Sequence, residues 1–161
     1  MEIITSATLN NILVFCEQTG PVPEVVLVKT FRDMGEDGLK RRVNSLVRGG
    51  WLKRGTLAGE TAYVADVGEP LSPPVRQRAF AWLMFRAKDE GVRYEHGKLI
   101  FPKNSLPVAV APNEPRKYPG LIVIPHGLEE PPKQPGSYVV QEEHLWKHKL
   151  SSCIRKNWKE V

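Results

Sequence analysis

The sequence predicts an α+β fold with two domains: three helices and a β-hairpin, followed by a small basic α+β domain. Three observations lead to this prediction. Apolar residues in the first 48 positions recur at helical spacing. Two strand-like stretches then flank a glycine-containing loop. The second half combines a helix-like stretch with short strand-like stretches and many prolines. We place the first domain at residues 1–67, a linker at 68–74 and the second domain at 75–161.

Length and composition limit the classes of protein. A chain of 161 residues that is 41% hydrophobic can hold one ordinary core or two small ones. The densest apolar run, Ala79–Phe85, is far shorter than the roughly 20 residues of a membrane span. The N-terminus lacks the features of a signal peptide, and two cysteines do not make a disulfide framework. We therefore expect a cytoplasmic protein with no membrane contact and no cofactor.

The net charge of +5 is unevenly distributed along the chain. Residues 1–70 carry 8 Lys/Arg and 9 Asp/Glu, a net charge of −1, whereas residues 71–161 carry 15 and 9, a net charge of +6. Clustered positive charge supplies most non-specific affinity for phosphates. Nucleic acid or another polyanion is therefore the favoured partner class, although charge alone does not decide which half binds it.

Two helices are predicted before residue 32. Thr8–Gln18 has the apolar spacing of an amphipathic helix, and Ser6 or Thr5 is available as its N-cap. Pro23 suits the first turn of a second helix, whose apolar positions lie within Val25–Phe31. The β-branched residues of that segment also fit a strand, so both alternatives stay open.

The third predicted helix, Leu39–Arg48, has two opposed faces. At 100° per residue its apolar residues form one stripe, which is expected to pack on the first two helices. Arginine binds guanine with two hydrogen bonds and asparagine binds adenine in the same way, so a polar outer face suits the major groove of DNA. The residues that are expected to contact bases lie opposite the stripe: Arg41, Asn44, Ser45 and Arg48.

The segment from Gly38 to Gly59 contains six Lys or Arg residues and no acidic residue. Because solvated helix faces usually mix charges of both signs, this bias favours contact with phosphates. The cations that are expected to neutralise phosphates flank the polar face or follow it: Lys40, Arg42, Lys53 and Arg54.

A β-hairpin is predicted after the third helix. Gly49-Gly50 ends the helix, and Trp51–Arg54 and Thr61–Val64 are expected to be two strands around a loop at Gly55–Gly59. With LKRRVNSLVRGGWLKR from Leu39, the chain resembles the winged helix-turn-helix superfamily over about residues 9–64.

The resemblance implies that the Leu39–Arg48 helix enters the major groove. It also implies that Gly55–Glu60 touches the neighbouring backbone or the minor groove. The tip of this wing carries no cation, so Lys53 and Arg54 at its base are the expected contacts.

The second domain is predicted to begin with a helix at Val75–Lys88. The apolar centre of this helix suits either a core helix or a dimerisation helix, which many winged-helix regulators place beside the DNA-binding domain. Nine of the 14 prolines lie in residues 102–135, so the strands there are expected to be edges, short or interrupted. A small irregular sheet and an extended partner-binding stretch are the alternatives. The predicted strands are Leu99–Phe101, Val108–Ala111, Leu121–Ile124 and Tyr138–Val140.

A closing helix is predicted at Glu142–Lys159. Its apolar stripe at i+4 steps is Trp146, Leu150, Ile154 and Trp158. Tryptophans at this spacing favour a core or an interface, with the cations of the helix outside.

Metal and catalytic sites are not expected. His144 and His148 have a zinc-compatible spacing, but Cys153 falls on the far side of the predicted helix. The sequence also lacks a phosphate-binding glycine motif and a nucleophile motif. A metal-dependent nuclease, assembled from Glu95 with Asp89 or Glu114, or a deaminase-like enzyme is the remaining enzymatic alternative.

The sequence therefore predicts a protein that binds double-stranded DNA sequence-specifically and regulates transcription, with a C-terminal domain for homodimerisation or partner binding. The alternative is a winged-helix accessory protein of replication, partition or a mobile element. In that alternative, residues 75–161 bind a protein or RNA partner.

Overall fold

The structure is a computed structural model that describes residues 6–66, 69–128 and 136–156. The described chain forms six α-helices and nine strands, and two compact units are distinguished, Met1–Ala81 and Trp82–Val161. The first unit is winged-helix-like, and a helix and a mixed sheet follow, which confirms the predicted α+β fold class. The division at 1–67, 68–74 and 75–161 stays a prediction.

Helices α1 and α2 are where the sequence places them. Helix α1 is Ala7–Thr19, and its N-cap Ser6 accepts a hydrogen bond from the backbone N of Leu9 at 3.4 Å. Helix α2 is Glu24–Thr30 and begins directly after Pro23, so the alternative of a strand over this segment is wrong. Only Val22–Pro23 is extended there, as strand β1.

Helix α3 is Glu36–Arg48, which begins three residues before the predicted start. Helix α3 is preceded by a 3-10 turn at Arg32–Met34 and then by Gly35, whose φ angle is 72°. Leu39, Val43 and Leu46 are buried, as the helical arithmetic predicts, whereas Val47, the fourth residue of the predicted stripe, is only half-buried.

The hairpin is longer and its loop tighter than predicted. Strands β2, Leu52–Leu57, and β3, Glu60–Ala65, pair antiparallel, and β1 adds to the far side of β3. The turn is only Ala58-Gly59, whose φ angles are 49° and 82°. A two-residue turn with both φ angles positive follows the natural twist of a hairpin. The predicted loop Gly55–Gly59 is therefore wrong, because Gly55 to Leu57 continue β2.

Helix α4, Pro74–Asp89, begins in the first unit, where Gln77 connects three segments. Gln77 is 2% exposed, and its Nε2 donates to the carbonyls of Thr19 at 2.7 Å and Pro21 at 3.0 Å. Its Oε1 accepts from the backbone N of Leu71 at 3.1 Å. The part of the predicted linker around Leu71 thus lies in the first unit and is hydrogen-bonded within it, whereas Gly68 lies outside the described residues.

The apolar centre of α4 is buried within this single chain. All of Ala79–Phe85 except Phe80 is buried. This agrees with a core helix, and a role in dimerisation stays a prediction. In the part of the chain that is described, no helix combines the length and the apolar character of a membrane span.

The second unit contains one six-stranded sheet in the order β4-β5-β6-β7-β8-β9. The pairs β6–β7 and β7–β8 are parallel and the others antiparallel. The four predicted strands are short, as expected, but none lies at an edge of the sheet. Of the prolines described between residues 102 and 128, only Pro107 lies inside a strand. The strands are β4 Arg93–Glu95, β5 Lys98–Ile100, β6 Ser105–Val110, β7 Leu121–Ile124, β8 Tyr138–Gln141 and β9 Arg155–Lys156.

The prediction of one closing helix at Glu142–Lys159 is wrong. The structure has two four-residue helices, α5 at Glu142–Leu145 and α6 at Leu150–Cys153, and then strand β9. The Glu90 carboxylate accepts from the backbone N atoms of Leu150 and Ser151, so α6 starts on this cap and does not continue α5. Trp146, Leu150 and Ile154 therefore share no helical stripe. Trp158 and Lys159 lie outside the described residues.

We expect Gln77→Ala to lower the free energy of unfolding by about 2–3 kcal/mol, because it leaves buried backbone groups without partners. Urea denaturation of the full chain measures the change. Gln18→Ala, at an exposed position of α1, is the matched control and should change stability by less than about 0.5 kcal/mol. Equal effects of the two substitutions would contradict the role given to Gln77.

Candidate nucleic-acid interface

Five of the eight predicted DNA-binding residues meet at one surface. They line an open depression of about 650 Å³ together with Val47. All five side chains are exposed. We call this the α3–β2 surface, defined by Arg41, Asn44, Ser45, Arg48 and Arg54.

The four α3 residues of this surface share one face because they are spaced at i, i+3, i+4 and i+7. Ser45 Oγ donates to the carbonyl of Arg41 at 3.1 Å, so the single hydroxyl proton is already used within the helix. Ser45 is left with acceptor capacity only. Arg41 and Arg48 carry the donors that suit base edges or phosphates.

Arg54 connects the hairpin to α3. Its Nη2 donates to Asn44 Oδ1 at 2.8 Å, and its Cζ lies 5.5 Å from the centre of the Tyr63 ring. Tyr63 is the cross-strand partner of Arg54 and is 2% exposed, so the ring is a fixed support for the guanidinium. The sequence identified Arg54 as a cation but gave no signal for these two contacts.

Lys40 is already paired with acidic residues. Its Nζ lies 3.1 Å from Glu36 Oε1 and 3.6 Å from Glu24 Oε1. The hydrogen bond and charge of Glu36, followed by the charge of Glu24, raise the pKa of Lys40. Glu24 also accepts from the Tyr63 hydroxyl at 2.7 Å. Of the predicted phosphate contacts, Lys40 is therefore poorly placed. The i, i+4 spacing of Glu36 and Lys40 could be seen in the sequence, whereas the contact between Lys40 and Glu24 depends on the fold.

Arg42 and Lys53 also lie outside the depression. Arg42 Nη1 donates to the carbonyl of Gly38 at 3.0 Å and stays on the flank of α3. Lys53 is exposed and precedes Arg54 in β2, so the two side chains point to opposite faces of the hairpin. Both remain candidates for phosphates that pass beside the α3–β2 surface.

The tip of the hairpin is less favourable for DNA. Its turn is Ala58-Gly59, and the exposed residue that follows is Glu60. A carboxylate there repels phosphates, so the contact that the resemblance implies for Gly55–Glu60 remains a prediction.

No described group of three or more His, Cys, Asp or Glu side chains is placed to hold a metal ion. His144 lies in α5 but His148 lies beyond its end, so the two do not share a helix. Burial raises the pKa of the Cys16 thiol to about 12 and also raises that of Cys153. Both thiols are buried and free, which does not suit nucleophilic chemistry.

One polar cluster in the second unit has a structural explanation. Buried Glu142 accepts from the backbone N of His126 at 3.0 Å and from Trp146 Nε1 at 3.1 Å. His126 Nδ1 lies 2.7 Å from Glu143. These bonds hold α5 to the loop after β7.

The residues around α3 and β2 define a polar, positively charged surface of the kind that nucleic-acid-binding proteins use. Comparisons with protein-family models, with curated proteins and with solved structures find no match to this chain.

We expect Tyr63→Phe to remove part of the alkaline destabilisation of the protein. Burial, and then the hydrogen bond to Glu24, raises the pKa of Tyr63 above its ordinary value of 10.0. The folded protein thus retains a proton that the unfolded chain loses, so the free energy of unfolding falls as the pH rises from 10 through the folded-state pKa.

Urea denaturation between about pH 8 and about pH 12 tests this. The variant should lose about 1.5–3 kcal/mol of stability near neutral pH, because its hydrogen bond to the Glu24 carboxylate is gone, and its stability should then fall less steeply with pH than that of wild type. Tyr118→Phe, at an exposed position, should keep the wild-type slope. Identical slopes for wild type and Tyr63→Phe would contradict the assignment.

Proposed function

We propose that this protein binds double-stranded DNA in a sequence-dependent way through the α3–β2 surface and regulates transcription. One observation carries the proposal. Arg41, Asn44 and Arg48, whose side chains suit base edges, share an exposed face of helix α3, opposite its buried stripe, and a hairpin arginine joins them. This is the arrangement by which a helix in the major groove contacts bases.

The spacing on α3 gives the expected footprint. Arg41 and Arg48 are seven residues apart, which is about 10.5 Å along a helix axis, or roughly three base pairs. Each guanidinium suits the O6 and N7 acceptors of a guanine. We therefore expect two guanines about three base pairs apart in the preferred site.

Phosphate contacts are assigned to the cations beside this surface. Arg42 on α3 and Lys53 on β2 lie outside the depression. Lys40 contributes less, because binding a phosphate requires it to leave Glu36 and Glu24. The affinity for DNA should therefore depend less steeply on salt concentration than it would if all six cations of Gly38–Gly59 contacted phosphates.

The second unit is assigned to dimerisation or to a partner. A two-fold dimer would bind two half-sites related by the same symmetry. The alternative function, a winged-helix accessory protein that binds a protein or RNA partner through residues 75–161, is favoured by exposed cations in this unit. They include Lys103, Arg116, Lys117, Lys147 and Lys149.

We expect Arg41→Ala and Arg48→Ala each to weaken binding to the preferred duplex by about 1–3 kcal/mol and to relax preference at one base pair. Lys40→Ala should cost less than either. Fluorescence anisotropy with labelled duplexes measures these affinities. Arg93→Ala, at an exposed arginine paired with Glu95 in the second unit, is the matched control. Unchanged DNA binding by both α3 variants would show that the binding surface has been misplaced.

A second experiment separates the two functions in the full chain. Lys103, Arg116 and Lys117 are replaced together by alanine, and the salt dependence of DNA and RNA binding is measured. Each lost phosphate contact lowers the slope by about 0.9. Under the proposed function the slope for DNA changes by less than about 0.9, the value of one phosphate contact, and the base preference is kept. Loss of most nucleic-acid affinity would favour the alternative.

A further inference from the structure

We propose that Arg54 sets the base that Asn44 recognises, so that Asn44 and Arg54 together bind guanine and reject adenine. This inference rests on the proposed function, because it assumes that α3 lies in the major groove. It adds which base the DNA site contains opposite Asn44. It also assigns part of the base specificity to Arg54, a residue of the hairpin that lies outside helix α3.

The orientation of the Asn44 amide follows from its partner. A guanidinium has only donors, so the 2.8 Å contact with Arg54 Nη2 must be made by the amide oxygen Oδ1. The Nδ2 group, with two donors, therefore lies away from Arg54.

Adenine needs both ends of an asparagine amide. Its N6 group donates to the amide oxygen while its N7 accepts from the amide nitrogen. In this protein the amide oxygen already accepts a hydrogen bond from the guanidinium of Arg54. A second lone pair remains on Oδ1, but an adenine N6–H that approaches it meets the positive charge of Arg54. The adenine contact is therefore weakened.

Guanine has the complementary pattern. It presents two acceptors, N7 and O6, in the major groove. The Asn44–Arg54 pair presents donors from the amide nitrogen and from the remaining guanidinium N–H groups. Donors face acceptors across the whole contact, so the pair favours guanine.

Arg54 is held in place before DNA arrives. The buried Tyr63 ring lies under its guanidinium, and the Tyr63 hydroxyl is fixed by Glu24 at 2.7 Å. Strand pairing places Arg54 opposite Tyr63. The donor pair therefore does not have to be assembled during binding, which lowers the cost of using it.

The consequence for the DNA site is a guanine-rich contact strip. Arg41, the Asn44–Arg54 pair and Arg48 follow each other along α3, with Asn44 about 4.5 Å and Arg48 about 10.5 Å from Arg41 along the axis. Without Arg54, the middle contact would favour adenine. With Arg54, all three contacts favour guanine.

The test is selection of bound duplexes from a random pool by the full-length chain. Asn44→Ala identifies the base pair that depends on Asn44, because preference is lost there. In wild type that base should be guanine. In Arg54→Met the ratio of guanine to adenine at that position should fall by about 5- to 150-fold, the range that one well-placed contact gives.

Lys53→Met is the matched control. It removes the same charge from the neighbouring residue on the opposite face of β2, so it should weaken binding and leave the guanine preference intact. If Arg54→Met and Lys53→Met both lower affinity without changing base preference, Arg54 acts only through its charge and the inference is overturned. Thermal unfolding checks that both variants fold. If wild type selects adenine at the position that depends on Asn44, the inference is overturned, and no Arg54 variant is needed to show this.

The same selection distinguishes failure of the proposed function from failure of the role given to Arg54. If wild type enriches no sequence, the proposed function fails and this inference fails with it. If wild type enriches a sequence that depends on Arg41 and Arg48, but adenine occupies the Asn44 position, the proposed function stands and only the role of Arg54 is overturned.

Discussion

Burial of Leu39, Val43 and Leu46 fixes the rotation of helix α3 about its own axis. A shift of one residue would turn the helix by 100° and expose apolar side chains, which costs roughly 1.5–3 kcal/mol for each large residue. Arg41, Asn44 and Arg48 are exposed as a consequence. The candidate interface depends on this core stripe more than on any polar contact.

A second constraint places the hairpin beside that face. Tyr63 is buried, bonded to Glu24 and paired across the strands with Arg54. This sequence of contacts explains why a cation from β2 reaches Asn44. The same Glu24 also attracts Lys40, so the network that orders Arg54 reduces the availability of another predicted cation.

The sequence predicted the parts of the first unit that depend on local spacing. Helical arithmetic identified the buried and exposed faces of α3, and glycines identified its end and the hairpin. The roles of individual cations depend on distant residues: Glu24 is 16 positions from Lys40, and Tyr63 reaches Arg54 only through strand pairing. Residue spacing alone does not contain that information.

The structure of the second unit depends even more on contacts between residues that are distant in the sequence. The i+4 pattern from Trp146 to Trp158 suggested one helix, but a carboxylate from Glu90 starts a new helix at Leu150. Strands β7 and β8 were recognised from their apolar, β-branched residues. Their internal, parallel position was not, because the order of strands in a sheet is set by long-range pairing.

The central claim is that the α3–β2 surface contacts DNA. Titration of the ¹⁵N-labelled full chain with a duplex enriched by wild type, followed by NMR, tests it directly. The account predicts that the largest shifts occur at the amides of residues 41–48 and at the side chains of Asn44 and Arg54. Shifts confined to residues 82–161, or no shifts at any duplex concentration, would contradict it.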